Sequence, residues 1–106
     1  MAYRHVVLFR LREGVSEEQA AAARRLLEDL GDAAHEHPGL VAWRIEESLD
    51  ARKGTVLVEE ATFATREDFE TFSASELHRR AAAEMAKVAD WFVGDYVDPD
   101  PPDGTL

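Results

Sequence analysis

The first strand predicted from this sequence carries apolar side chains on both of its faces. In residues 3–11 the apolar residues follow a period of two, which is typical of a β-strand, and Val7 and Leu8 belong to opposite faces. Residues 55–63 and 91–97 show the same double pattern. A sheet built from such strands must be covered on both sides, because soluble proteins rarely expose apolar patches larger than roughly a few hundred Å².

A helix is predicted after the first strand. Ser16 followed three residues later by Gln19 fits a capping box, and the apolar residues beyond it recur at spacings of three and four. Two positions are candidates for its end. Gly31 is a possible C-cap, and the pattern also allows a further turn toward His35 before Pro38 breaks the helix.

The rest of the chain also divides into predicted strands and helices. The predicted elements are a strand at residues 3–11, the helix from Ser16, strands at 41–45 and 55–63 joined by a hairpin connection at 50–54, two helical pieces within 66–89 capped at Thr65 and Ser75, and a strand at 91–97. This order predicts an α+β fold with a four-stranded antiparallel sheet and both helices on one face. Residues 1–97 then form one domain, and the acidic, Pro-rich residues 98–106 form a tail that joins no strand ladder.

Two helices cover only one face of the predicted sheet. The other face is also apolar, and a second copy of the sheet is the simplest cover, so we expect a homodimer.

Charge and composition exclude several classes of partner. Twelve basic against 22 acidic residues give a net charge of −10, which repels nucleic acids and anionic membranes. No stretch approaches the roughly 18 apolar residues of a membrane span, and the N-terminus lacks a signal-peptide pattern, so we expect a cytoplasmic protein. The chain has no Cys, which excludes disulfides and thiolate chemistry.

Several short stretches together resemble one known family. They are RHVVLFRL at residues 4–11, GVS at 14–16, PGL at 38–40, ATF at 61–63, Phe72 followed by His78, and Asp95 with Tyr96. This set, which spans about residues 3–97, is similar to the stress-responsive dimeric α/β-barrel proteins. The resemblance implies a ferredoxin-like βαββαβ protomer whose sheet packs face to face on a second copy, forming a dimeric α/β barrel.

The same resemblance implies a reaction. Some members of the family are polyketide cyclases that use no metal or cofactor and work by proton abstraction and intramolecular aldol attack. Their two cavity histidines match His5 on the first strand and His78 at the start of the later helix, and the second serves as general base. The tyrosine that assists them corresponds to Phe72, which lacks the hydroxyl.

Each histidine also has an ordinary structural interpretation. His78 lies in the first turn of a helix, where the dipole favours the neutral ring that a general base needs, but a surface histidine there is also common. His5 is either a buried histidine bonded to the backbone or the donor that stabilises a substrate oxygen. His35 and His37 have no third ligand nearby, so we interpret them as a solvated helix end and expect no metal site.

Aromatic residues are the candidates for lining a cavity, although each is more often simple core. The candidate substrate-binding residues are Phe9, Phe63, Phe72, Trp91 and Tyr96, with Trp43 and Phe69 near them. Three functions remain open: a cofactor-independent, cyclase-like enzyme acting on a small hydrophobic carbonyl compound, a non-catalytic stress-associated or ligand-binding dimer, and a cofactor-free oxygenase.

Overall fold

A computed structural model describes residues 1–99. The elements are β1 (Ala2–Leu11), α1 (Glu17–Ala34), β2 (Leu40–Glu47), β3 (Val56–Phe63), α2 (Arg66–Ser73), α3 (Glu76–Met85), β4 (Ala89–Val93) and β5 (Tyr96–Asp98). All pairings between these strands are antiparallel, and the strand order is β2-β3-β1-β4, with β5 pairing with β1 beyond β4. The predicted α+β, ferredoxin-like fold is confirmed. The structure divides the last of the four predicted strands into two, β4 and β5.

The odd-numbered side chains of β1 face the helices. Val7, Phe9 and Leu11 are buried there and pack in one cluster with Ala23 and Leu27 of α1. The alternation predicted from the sequence therefore sets which side chains of β1 enter the core.

Helix α1 begins at the predicted capping box and continues past Gly31. Gln19 N donates to Ser16 Oγ over 3.1 Å and Ser16 N donates to Gln19 Oε1 over 2.9 Å, which confirms the capping box. The helix continues one turn beyond Gly31, so Gly31 is not its cap. Instead, the Trp43 indole lies directly against Gly31 and donates from Nε1 to the Leu27 carbonyl over 3.1 Å, leaving no space for a Cβ.

The second helical region is broken as predicted, but it ends earlier. Thr65 and Ser75 cap α2 and α3. The prediction that the helix reaches residue 89 is wrong: α3 ends at Met85, and Ala89 already pairs with Leu11 in the sheet. The reason is that Arg12 N donates to the Val88 carbonyl over 2.9 Å and draws the chain onto the end of β1.

The predicted last strand is interrupted at Gly94 and Asp95. Both halves keep one register with β1, since Val7 pairs with Val93 and Arg4 with Tyr96. The sequence assigned Asp98 to the tail, and this is wrong, because β5 ends at that residue and Asp98 pairs with Ala2. The predicted tail from residue 100 onward lies outside the described residues.

The other face of the sheet is uncovered within residues 1–99. Leu8 stands opposite Val58 on one side and Phe92 on the other, which places all three on this face. Leu8 is 44% exposed and Phe92 is 81% exposed. No helix in the described part of the chain is long and apolar enough to cross a membrane.

Candidate functional site

A cavity of about 220 Å³ lies between the sheet and the helices. Its wall is mostly apolar, and the polar side chains that reach it include His5, Glu59 and His78. An apolar cavity of about 150 Å³ already holds benzene. The space therefore suits a small ligand with an aromatic or aliphatic body and few polar groups.

His5 is held between two carboxylates. Its ring is almost fully buried, with Nδ1 2.8 Å from Asp95 Oδ1 and Nε2 3.2 Å from Glu59 Oε2. Nε2 forms no hydrogen bond within the described chain, although Glu59 lies within ion-pair distance of it. His5 thus has one nitrogen fixed by Asp95 and one nitrogen still able to donate.

The interruption of the last strand aims Asp95 at His5. The common register of β4 and β5 places residue 95 opposite residue 5, where backbone pairing lapses. Val6 N donates to Asp95 Oδ1 over 3.3 Å, and the Tyr3 hydroxyl donates to Asp95 Oδ2 over 2.8 Å. Burial and the Asp95 carboxylate raise the pKa of Tyr3 to about 12, so its hydroxyl remains a donor.

The surroundings of His5 favour its cationic form. Burial alone lowers the pKa of an imidazole, but the carboxylates of Glu59 and Asp95 outweigh that effect and the pKa of His5 is raised. The Phe69 ring lies 4.7 Å from the His5 ring, between centroids, and also stacks on Tyr3. An aromatic ring at this distance adds a further favourable contact for a cation.

His78 has the opposite tendency. Its backbone N donates to the Ser75 cap over 3.2 Å, which fixes it in the first turn of α3. Burial lowers the pKa of His78, and this effect outweighs the nearby Glu59 carboxylate, which raises the pKa, while a positive charge on His5 lowers it further. The cavity therefore combines a neutral imidazole with one that is stabilised as a cation.

The predicted aromatic residues occupy three different places. Phe9 and Trp91 line the cavity, with ring centroids 5.3 Å apart. Phe63 and Phe72 lie in the core behind it, and the Phe72 ring contacts His78 edge-on at 5.1 Å. Tyr96 is exposed opposite Arg4 on the uncovered face and does not line the cavity.

Sequence reasoning missed Glu59. The residue stands at the same parity as Leu57, Ala61 and Phe63, so the alternation places its charged side chain among buried ones. A charged residue at a core-facing position of a strand is the sequence feature that could have identified Glu59. The sequence indicates Asp95 only through the family resemblance, because the role of this residue depends on a strand break that no local pattern predicts.

The other two histidines lie outside the cavity. His35 Nδ1 donates to the Gly31 carbonyl over 2.7 Å, and His37 Nδ1 accepts from Gly39 N over 3.2 Å. Both bonds complete the chain reversal after α1. Within residues 1–99, no group of three or more His, Asp or Glu side chains is arranged to hold a metal ion.

Comparison with known proteins gives one family and many similar structures. The Stress responsive A/B Barrel Domain family matches residues 3–98. No curated protein sequence matches the chain. A dimeric ferredoxin-like protein from Thermobifida fusca is 23% identical, with 91% of this chain and 90% of that chain covered and a TM-score of 0.77.

Two further structures of similar fold carry enzyme names. The hydroxynitrile lyase from Passiflora edulis is 23% identical, with 95% of this chain and 97% of that chain covered and a TM-score of 0.73. A protein from Nitrosomonas europaea that carries the name of an antibiotic biosynthesis monooxygenase is 16% identical, with 94% of this chain and 92% of that chain covered and a TM-score of 0.80. At these identities the likeness shows a common fold, and different chemistries share it.

Proposed function

Because the chain belongs to the stress-responsive A/B barrel domain family, we propose that it is a cofactor-independent, cyclase-like proton-transfer enzyme that works as a homodimer. Its substrate is a small hydrophobic carbonyl compound. The observation that carries the proposal is the pair of imidazoles, His5 and His78, whose pKa values are displaced in opposite directions within one apolar cavity. Such displaced pairs are typical of sites where one group takes a proton and another stabilises charge.

The two imidazoles divide the reaction between them. Neutral His78 takes a proton from the carbon beside the carbonyl, and the electron pair of the broken C–H bond moves toward the carbonyl oxygen. The Nε2 hydrogen of His5 donates to that oxygen and stabilises the enolate. In the cyclase-like reaction, the enolate carbon then attacks a second carbonyl of the same molecule, and protonated His78 returns its proton to the new alkoxide.

Proton abstraction can be tested without knowing the natural substrate. The probe is benzylacetone in D₂O, and ¹H NMR follows deuterium exchange beside its carbonyl. We expect His78→Gln to lose the exchange that the wild type catalyses, whereas Arg79→Gln, an exposed change one residue along α3, should keep it. Equal exchange rates in the wild type and His78→Gln would refute the role of His78 as base.

One observation favours a non-catalytic, ligand-binding dimer as the alternative. Phe72 lies against His78 but brings no hydroxyl to it. The same probe separates the two functions, because a binding protein would take up benzylacetone without exchanging its protons.

The homodimer is supported by the uncovered face of the sheet. Leu8 and Phe92 stand side by side on that face and are exposed in the single chain. The similar protein from Thermobifida fusca is described as dimeric. Covering these side chains with the same face of a second copy satisfies both apolar sheet surfaces with one two-fold interface.

Light scattering coupled to size exclusion tests the assembly. Phe92→Asp is expected to give monomers, since each copy would bring an unpaired charge into the apolar interface. Leu77→Asp, which changes a half-exposed side chain on α3, is the matched control and should remain dimeric. A monomeric wild type, or a dimeric Phe92→Asp variant, would refute this interface.

A further inference from the structure

Glu59 is a carboxylate in a position that the fold reserves for apolar side chains. It stands opposite Val7 on β1 and Ile45 on β2, on the face that packs against the helices, and is 3% exposed. Burying a carboxylate is costly unless it is paired, and His5 is its one ion-pair partner within residues 1–99. Yet Glu59 also lines the cavity, so a ligand there can meet its oxygens.

The pair formed by Glu59 and His5 is incomplete. Asp95 already satisfies His5 Nδ1, whereas His5 Nε2 lies 3.2 Å from Glu59 Oε2 without forming a hydrogen bond. The wall of the cavity therefore presents a donor, the Nε2 hydrogen, beside an acceptor, the carboxylate. An ionised carboxylate can only accept hydrogen bonds, so the pair is complementary to a ligand that accepts at one oxygen and donates at the next.

We propose that Glu59 contacts the substrate and selects neutral ketones that carry a hydroxyl on the carbon next to the carbonyl. His5 Nε2 donates to the carbonyl oxygen, and Glu59 accepts from the hydroxyl. Oxygens on neighbouring carbons are close enough together to meet both groups at once. A ligand with its own carboxylate is excluded, because it would place a second anion against Glu59 in a cavity of low polarity. This inference rests on the site of the proposed function and adds the substrate class.

Three phenyl ketones of similar size test the selection. α-Hydroxyacetophenone offers both oxygens, propiophenone replaces the hydroxyl with a methyl group, and benzoylformate replaces the whole hydroxymethyl group with a carboxylate. Binding of each to the wild-type protein is measured by calorimetry, with Trp91 fluorescence as a second signal from the cavity wall. A hydrogen bond to a charged group predicts that the hydroxyketone binds about ten to a hundred times more tightly than propiophenone. Benzoylformate should bind most weakly of the three.

Two variants locate the effect. Glu59→Gln keeps the shape of the side chain but removes its charge, and it should reduce the preference for the hydroxyketone to a few-fold and raise benzoylformate binding about tenfold or more. Glu36→Gln removes the same charge from an exposed residue that lies neither on the cavity wall nor in the sheet, and it should leave the ranking unchanged. If Glu59→Gln does not fold, the wild-type ranking decides.

The proposal is overturned if the wild type binds propiophenone as tightly as the hydroxyketone, binds none of the three ketones, or prefers benzoylformate. It is also overturned if Glu59→Gln and Glu36→Gln change the ranking equally. Because these measurements need no turnover, a failure here is distinct from a failure of His78 to exchange the protons of benzylacetone.

Discussion

Replacing Gly31 with Ala sets two physical effects of opposite sign against each other. Gly31 lies in the last turn of α1, where alanine is normally the better helix former and stabilises by about 0.5–1 kcal/mol. The Trp43 indole occupies the space that a Cβ would need, however, and it is held there by its hydrogen bond to the Leu27 carbonyl. The structure predicts that the steric effect is the larger one.

The magnitude follows from the two interactions that the new methyl group disturbs. Forcing extra volume into a packed core costs about 1–3 kcal/mol. Moving the indole also breaks its bond to Leu27, which is worth about 1 kcal/mol. After subtraction of the helix-propensity gain, we expect Gly31→Ala to lower the free energy of unfolding by about 1–3 kcal/mol. For a domain of this size, each kcal/mol lowers Tm by about 4–8 °C.

Urea denaturation followed by circular dichroism measures this change, and a double-mutant cycle with Trp43→Leu isolates its cause. Without the indole, the alanine should be neutral or stabilising. A Gly31→Ala protein as stable as the wild type would refute the steric argument. Equal destabilisation in both backgrounds would show that the clash involves some group other than Trp43.

Further predictions concern the buried rings. Phe72→Tyr should lower the free energy of unfolding by about 1–3 kcal/mol, because it buries a hydroxyl in an apolar core; an unchanged thermal melt would mean that the hydroxyl finds a partner. The pKa of His78 is lowered in the folded state, so the folded state loses stability as the pH falls below the unfolded value of about 6.5. In urea titrations, the free energy of unfolding of His78→Gln should therefore fall less with decreasing pH than that of the wild type. His5 acts in the opposite sense. Its raised pKa gives stability that is present below about 6.5 and is lost as pH rises through the folded value, so His5→Gln should cost more at about pH 6 than at about pH 10, and equal costs would contradict this.

The order of strands and helices could be predicted because hydrophobic periodicity and caps are local signals. The capping box at Ser16 and the break before Ser75 are determined by residues within one helical turn. The ends that sequence reasoning missed depend on contacts between distant residues. Helix α1 continues through Gly31, where Trp43 packs against it. Helix α3 ends before Ala89 because Ala89 pairs with Leu11 in the sheet.

The same distinction between local signals and distant contacts separates the site residues that the sequence predicts from those that it misses. His5 and His78 were found because a family resemblance marked them, and the structure places both at one cavity. The sequence indicates Glu59 only as a charged residue at a core-facing position of its strand. Its role depends on its contact with His5, which the sequence does not show. The role of Asp95 required knowledge of a three-dimensional gap in the ladder, which local pattern does not encode.

The position of His5 in β1 ties the integrity of the site to that of the whole protein. β1 is bonded on one side to β3 and on the other to β4 and β5, so no partial opening of one edge of the sheet frees it. Local fraying at the last strand would instead release Asp95 alone. Loss of the position of His5 in the sheet should therefore coincide with global denaturation, and a titration with denaturant should show ligand binding and folded structure disappearing along a single curve.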